Sequence, residues 1–205
     1  MTLTEMAAGM GGLAPSCGRT RLIAVDGHAG AGKTTLARHL AAALGGSPVV
    51  HTDDLATHEQ PFDWTGRLAT QVLGPLGAGR GAVHEVYDWH ARRFAGEQTV
   101  DAAPCVVLEG VGTGRAALRP HLALVLWLEV GPAEARRRGL RRDGPELTPF
   151  WTGWTAAEDA HFAADPTRPY ADLLVHQDQE GGYRFTPGPA ARAAQHPNPA
   201  DRYGR

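Results

Sequence analysis

Three features of the 205-residue sequence predict an α/β fold whose parallel sheet is covered by helices on both faces. Short, almost continuously apolar runs recur along the chain, as strands buried on both faces require. Helix-forming stretches separate those runs. Several runs end in Asp, Glu or Gly, the residues of strand-to-helix turns. About five parallel strands are expected, and no internal repeat is present.

Residues 1–20 are Gly-rich and lack periodicity, which predicts a flexible lead. RLIAVD (21–26) is the first strand. In KTTLARHLAAAL (33–44), Leu36, Leu40 and Leu44 share one helical face, and Gly45-Gly46 ends the helix. PVVHTDD (48–54) is a second strand running into two carboxylates. An insertion follows over about 55–103, read as a loop and helix to Leu76, a Gly-rich loop, and the aromatic and basic stretch VHEVYDWHARRF. PCVVLEG (104–110) and HLALVLWLEV (121–130) are the third and fourth strands. The Arg-rich PAEARRRGLRRDG (132–144) and WTAAEDAHFAADP (154–166) are helices, and ADLLVH (171–176) is the fifth strand. One domain is thus predicted over 21–180, with a small Arg-bearing lid at about 136–150. The Gly-, Pro- and Ala-rich tail, 181–205, is expected to be disordered.

Composition excludes several function classes. A net charge of −2 argues against a nucleic-acid coat. Cys17 and Cys105 are isolated, so neither fits a CxxC redox or zinc pattern. No secretion signal or long apolar span is visible, which predicts a cytoplasmic protein with no membrane partner. Oligomeric state is not legible. Lys33 is the only lysine among 20 basic residues. A lysine retained against so strong an Arg bias suggests a position where only a compact ammonium fits.

Lys33 belongs to the strongest motif. Gly27-His28-Ala29-Gly30-Ala31-Gly32-Lys33-Thr34 satisfies GxxxxGK[ST] between a strand and an amphipathic helix, and Thr35 follows it. Such a loop turns consecutive N–H groups into one concavity at a helix N-terminus, where polyphosphate binds. The motif predicts a P-loop NTPase fold with ATP as ligand. Lys33 would reach the β- and γ-phosphates, and Thr34 would ligate Mg²⁺, a hard cation. A dinucleotide fingerprint fails, because Thr35 stands at the third glycine position.

Ligands of parallel sheets bind at the carboxyl ends of the strands. Asp53 and Asp54 follow the second strand and Glu109 ends the third, so all three belong on one rim with the loop. Asp53 suits a general base for an attacking hydroxyl, and Glu109 the metal shell. Helix capping is the alternative for Asp53 and Asp54, and a solvated strand end for Glu109. Arg136, Arg137, Arg138, Arg141 and Arg142 crowd one helix; they suit either an anion clamp or a solvated basic face. Trp64, Tyr87, Trp89 and His90 offer flat faces for a planar acceptor or packing beneath a loop. Trp127 reads as core, and Trp151 and Trp154 as packing.

The stretches DGHAGAGKTTLARHLA, HTDDL, PFDWTGRL, VYDW, VVLEGVGTG, ARRRGLRRD and DPTRPYADLLV occur in order over most of residues 22–176. In these the chain resembles the uridine/cytidine kinase family of P-loop small-molecule kinases. The resemblance implies γ-phosphate transfer from MgATP to a nucleoside 5′-hydroxyl. It implies Asp53 as base, Phe62 and Asp63 as the FD motif that holds ribose, and Tyr87 as a base contact. It also implies Glu109 near magnesium, Arg138, Arg141 and Arg142 in the lid, and Thr167 and Arg168 near the nucleotide. The sequence departs from the family where FDWT replaces FDHP, and where Arg92, with His90 nearby, stands at the position of a pyrimidine-reading His. The predicted catalytic set is therefore Asp53, Lys33, Arg138 and Arg142. Gly27 to Thr35 and Arg141 would bind nucleotide, and Asp53, Phe62, Asp63, Tyr87, Trp89, His90 and Arg92 the small-molecule acceptor. Two other readings stay open: a kinase of a different alcohol, and a nucleotide-binding switch.

Overall fold

The computed structural model describes residues 2–178 and 180–191. In chain order its strands are β1 (Arg21–Asp26), β2 (Val49–His51), β3 (Ala82–Asp88), β4 (Arg93–Val100), β5 (Cys105–Glu109), β6 (Leu124–Leu128), β7 (Leu173–Gln177) and β8 (Tyr183–Pro187). Six of them form one sheet in the order β2-β5-β1-β6-β7-β8. The first five of that row are parallel, as predicted, and β8 adds an antiparallel edge. β3 and β4 make a separate antiparallel hairpin inside the insertion.

Alternation along the strands divides the core into two layers. Ile23, Val25, Val107, Leu126, Leu128 and Val175 face helices α1 (Leu3–Met10) and α2 (Lys33–Ala43). Leu22, Val106 and Leu108 face the opposite way, toward α3 (Thr65–Leu68), the π-helical turn Ala69–Leu73 and α4 (Gly74–Gly77). Ala24, Val125, Trp127 and Leu174 meet Phe162 of the long helix α6 (Thr148–Ala164). Between β6 and α6 lies α5 (Pro132–Asp143). No helix among the described residues is long and apolar enough to cross a membrane.

Two terminal segments differ from expectation. Residues 1–20, expected as a flexible lead, carry α1. Thr2 and Glu5 close a reciprocal capping box, and Met6, Ala7 and Met10 are buried in the core beside α2. The expected disordered tail begins instead with β8, which pairs with β7 from Tyr183 to Pro187 and buries Phe185. Residues 192–205 of that tail lie outside the described residues. Phe185→Ala is therefore expected to destabilise the fold by about 3 kcal/mol. The check is a lower midpoint of chemical unfolding at unchanged slope.

Strand register explains the position of the site. His51 pairs with Glu109, and Glu109 pairs with Val25, so the carboxyl ends of β2, β5 and β1 stand in one row. The chain leaves β1 toward β2 and later returns to β6 on the other side. The order therefore reverses at β1, where a crevice is expected.

Candidate active site

The loop Gly27–Gly32 leaves β1 and delivers Lys33 as the first residue of α2. Gly30 (φ 84°) and Gly32 (φ 101°) hold left-handed conformations that a side chain would strain. A Cβ on Gly30 would also lie 2.2 Å from the Ala135 carbonyl oxygen of α5. That close approach lets α5 lie directly on the loop. Gly30→Ala is expected to cost about 2 kcal/mol of stability and to weaken nucleotide binding, read by thermal unfolding and by titration.

A cavity of about 260 Å³ opens above the loop. Ala29, Gly30, Gly32, Lys33, Thr34 and Thr35 form its floor; Asp53, Glu109, Arg138 and Arg142 are among its walls. Lys33 is buried, and its Nζ donates to the His28 carbonyl at 3.1 Å. Thr34 Oγ1 donates to Glu109 Oε2 at 3.2 Å. His51 Nδ1 faces the same oxygen at 2.7 Å.

These charges set one another. The bond to Glu109 raises the His51 imidazole above its ordinary value against the effect of burial. For Glu109, burial alone would raise the carboxyl. His51, Lys33 and Thr34 together outweigh it and hold the group below the usual carboxylate range. Asp53 opens to solvent at the cavity mouth but is ringed by protein on its other sides. The resulting loss of water pushes its carboxyl up, and the Glu109 charge adds to this while Lys33 and His51 oppose it.

A second cavity, of about 700 Å³, adjoins the first. Trp89, Phe150, Trp151 and Trp154 give it aromatic walls, and His58, His90, Arg92 and Arg142 line its polar side. The ring centroids of Trp89 and Trp154 are 5.9 Å apart, and those of Phe150 and Trp154 are 5.8 Å apart. Asp53, Ala29, Arg142 and Trp154 line both cavities. Asp53 thus stands at their junction. Trp89 Nε1 donates to the Asp53 backbone carbonyl at 3.2 Å and ties the hairpin to it. At the hairpin tip, Asp88 Oδ1 accepts from the His90 and Ala91 amides, and Arg92 takes a left-handed φ of 54°. Arg92 also reaches Glu59 at 2.8 Å.

The basic helix contributes selectively. Arg138 lines the Lys33 cavity and bonds Glu134 at 2.7 Å; Arg137 also pairs with Glu134. Arg142 is gripped by both oxygens of Asp143, which in turn accepts from Trp151 Nε1 at 3.1 Å. Arg141, expected at the nucleotide beside Arg138 and Arg142, lines neither cavity.

Other expected residues also fall outside the cavities. Ala31 is packed in the core and Gly27 lies against Leu128 at the strand end. The His28 side chain turns away toward Glu158, Trp127 and Phe162. Phe62 stacks on His161 at 5.1 Å, and Asp63 is exposed away from both cavities. Tyr87 is buried behind His58, with its hydroxyl 3.1 Å from Nδ1. Trp64 is core, with the Arg115 guanidinium over its ring at 4.1 Å. Thr167 donates to Asp26 Oδ2 at 2.6 Å, and Arg168 pairs with Glu129.

Sequence reasoning missed several residues. Asp26 is fully buried and accepts from the amides of Gly27, Gly112 and Gly114 as well as from Thr167, so it fixes the loop's start. Its only signal was a carboxylate at the end of an apolar strand. His58, Phe150 and Trp154 were missed as cavity walls. The spacing of four shared by Phe150, Trp154, Glu158 and Phe162 could have marked one functional face of α6.

No family model and no curated protein matches the chain. Solved structures do. A possible uridine kinase from Bacillus stearothermophilus superimposes with a TM-score of 0.62 at 20% identity, covering 84% of this chain and 96% of that one. A candidate fructose transport system kinase from Silicibacter sp. TM1040 gives 0.57 at 22% identity, covering 80% and 89%. D-glycerate 3-kinase from Cryptococcus neoformans var. grubii gives 0.52 at 10% identity, covering 91% and 99%. The loop, the sheet order and these likenesses together give the chain the fold of the P-loop kinases.

Proposed function

We propose that the chain transfers the γ-phosphate of MgATP to a hydroxyl of a small molecule. The observation that carries this reading is the position of Asp53, on the wall shared by the Lys33 cavity and the aromatic cavity. A base there can take the proton of an acceptor hydroxyl. The acceptor oxygen then bonds to the γ-phosphorus as the bond to the bridging oxygen breaks, and ADP leaves. Lys33, Arg138 and Arg142 stabilise the charge spread over the phosphoryl oxygens.

The Thr34 hydroxyl and the Glu109 carboxylate supply hard oxygen donors side by side, a fit for Mg²⁺. Among the described residues no group of three or more His, Cys, Asp or Glu side chains could hold a resident ion. That suits an ion that arrives with the triphosphate and keeps phosphate and water ligands. Bound there, it neutralises phosphate charge.

A pyrimidine nucleoside is the first acceptor to test, since its flat ring suits aromatic walls. A different small alcohol is the second. It is favoured by Asp63 and Tyr87, which the family resemblance assigns to the nucleoside but which line neither cavity. The named neighbours act on, or are named for, uridine, fructose and glycerate, all hydroxyl compounds. An ADP-release assay across nucleosides, sugars and hydroxy acids tests the reading. Acceptor-dependent ADP release supports it, and nucleotide turnover indifferent to every acceptor and to Asp53→Asn would favour a switch protein.

A further inference from the structure

Phe150, Trp154, Glu158 and Phe162 recur at intervals of four and form one stripe along α6. The stripe begins in the aromatic cavity with Phe150 and Trp154. It continues to Glu158, which is only 4% exposed. Glu158 Oε1 accepts from the Ala29 amide at 3.0 Å and faces His28 Nδ1 at 2.9 Å. Because a carboxylate can only accept, Nδ1 carries the hydrogen of that contact. The His28 ring is clamped edge-on between Trp127 and Phe162, at 5.5 and 5.3 Å.

A buried carboxylate is costly unless its oxygens are compensated. Among the described residues, Glu158 finds its hydrogen-bond partners only on the glycine-rich loop. Losing those two contacts while the packing stays closed would leave that charge buried and unpaired. The loop gains as well, since its next residue, Gly30, adds little stiffness of its own. Glu158 does not line the Lys33 cavity, whereas Ala29 does. The carboxylate thus holds the loop at Ala29 from outside that cavity.

We propose that Glu158 is a positioning residue that sets the phosphate loop in register with the aromatic face of α6, so that nucleotide affinity depends on a side chain that never touches nucleotide. The inference rests on the reading of Gly27–Thr34 as a triphosphate cradle. It needs no knowledge of the acceptor.

The test is calorimetric titration of the full chain with the magnesium complex of a non-hydrolysable ATP analogue, beside thermal unfolding of each variant. Glu158→Gln keeps an acceptor oxygen at the same reach, and its affinity should stay within about threefold of the parent. Glu158→Leu fills the space without an acceptor and should bind at least about tenfold more weakly while still unfolding cooperatively. Should the Leu variant fail to fold, Glu158→Asp, one methylene short of the loop, replaces it with the same expected loss. A folded Leu or Asp variant with parental affinity overturns the proposal, as does equal damage in the Gln variant. In either case the cradle reading survives. A parent chain that binds no nucleotide removes the cradle reading and this proposal together.

Discussion

Lys33→Ala is expected to lower ATP turnover by at least about 10²-fold, the scale of losing one preorganised charge donor in a site that works mainly by positioning and electrostatics. The chain has no second lysine to substitute. The ammonium is buried against a neutral carbonyl, and no carboxylate lies within salt-bridge distance among the described residues. Its charge is therefore available to phosphate. Lys33→Arg should fail as well, because a planar guanidinium needs more room than a pocket built from glycine backbone leaves. Steady-state ADP release and nucleotide titration measure both variants. Near-parental turnover in Lys33→Ala would remove the electrostatic role given to this residue.

Asp53→Asn should reduce acceptor phosphorylation by about 10³-fold, within the range of a lost general base, while nucleotide binding changes little. The amide keeps the shape but cannot take a proton. The pH profile adds a second check. The surrounding protein, by displacing water, and the Glu109 charge raise the Asp53 carboxyl, and only the ionised form can act as base. The parental rate should therefore fall as pH drops through a value above the ordinary aspartate range, and the Asn variant should lose that limb. A parental profile retained in Asp53→Asn would assign the limb to another group.

Much of this arrangement is legible in the sequence, and the reasons are physical. The five parallel strands are short apolar runs because both faces of the sheet are covered, and such runs stand out against any helix. Asp53 and Glu109 are legible because each lies at the end of one of those runs, and register puts run ends in a row, while Lys33 and Thr34 are legible through the spacing of the GxxxxGK[ST] motif. Phe150 and Trp154 are not, since an aromatic on a helix reads the same whether it meets a core or a cavity. β8 is hidden because an edge strand of five residues in a Gly- and Pro-rich stretch carries little pattern. α1 is legible after all: Leu3, Met6, Ala7 and Met10 stand at helical spacing behind the Thr2 and Glu5 cap, but the Gly-rich residues that follow mask so short a helix.

Asp53, Ala29, Arg142 and Trp154 belong to both cavities, so the two chambers meet at these four residues. A single bisubstrate molecule, a polyphosphate chain tethered to a flat ring, could occupy both at once. By joining two ligands into one, such a compound would avoid the entropic cost of capturing the second separately. Its affinity should exceed that of either half, and the tether length giving the tightest grip would serve as a ruler for the gap the phosphoryl group crosses.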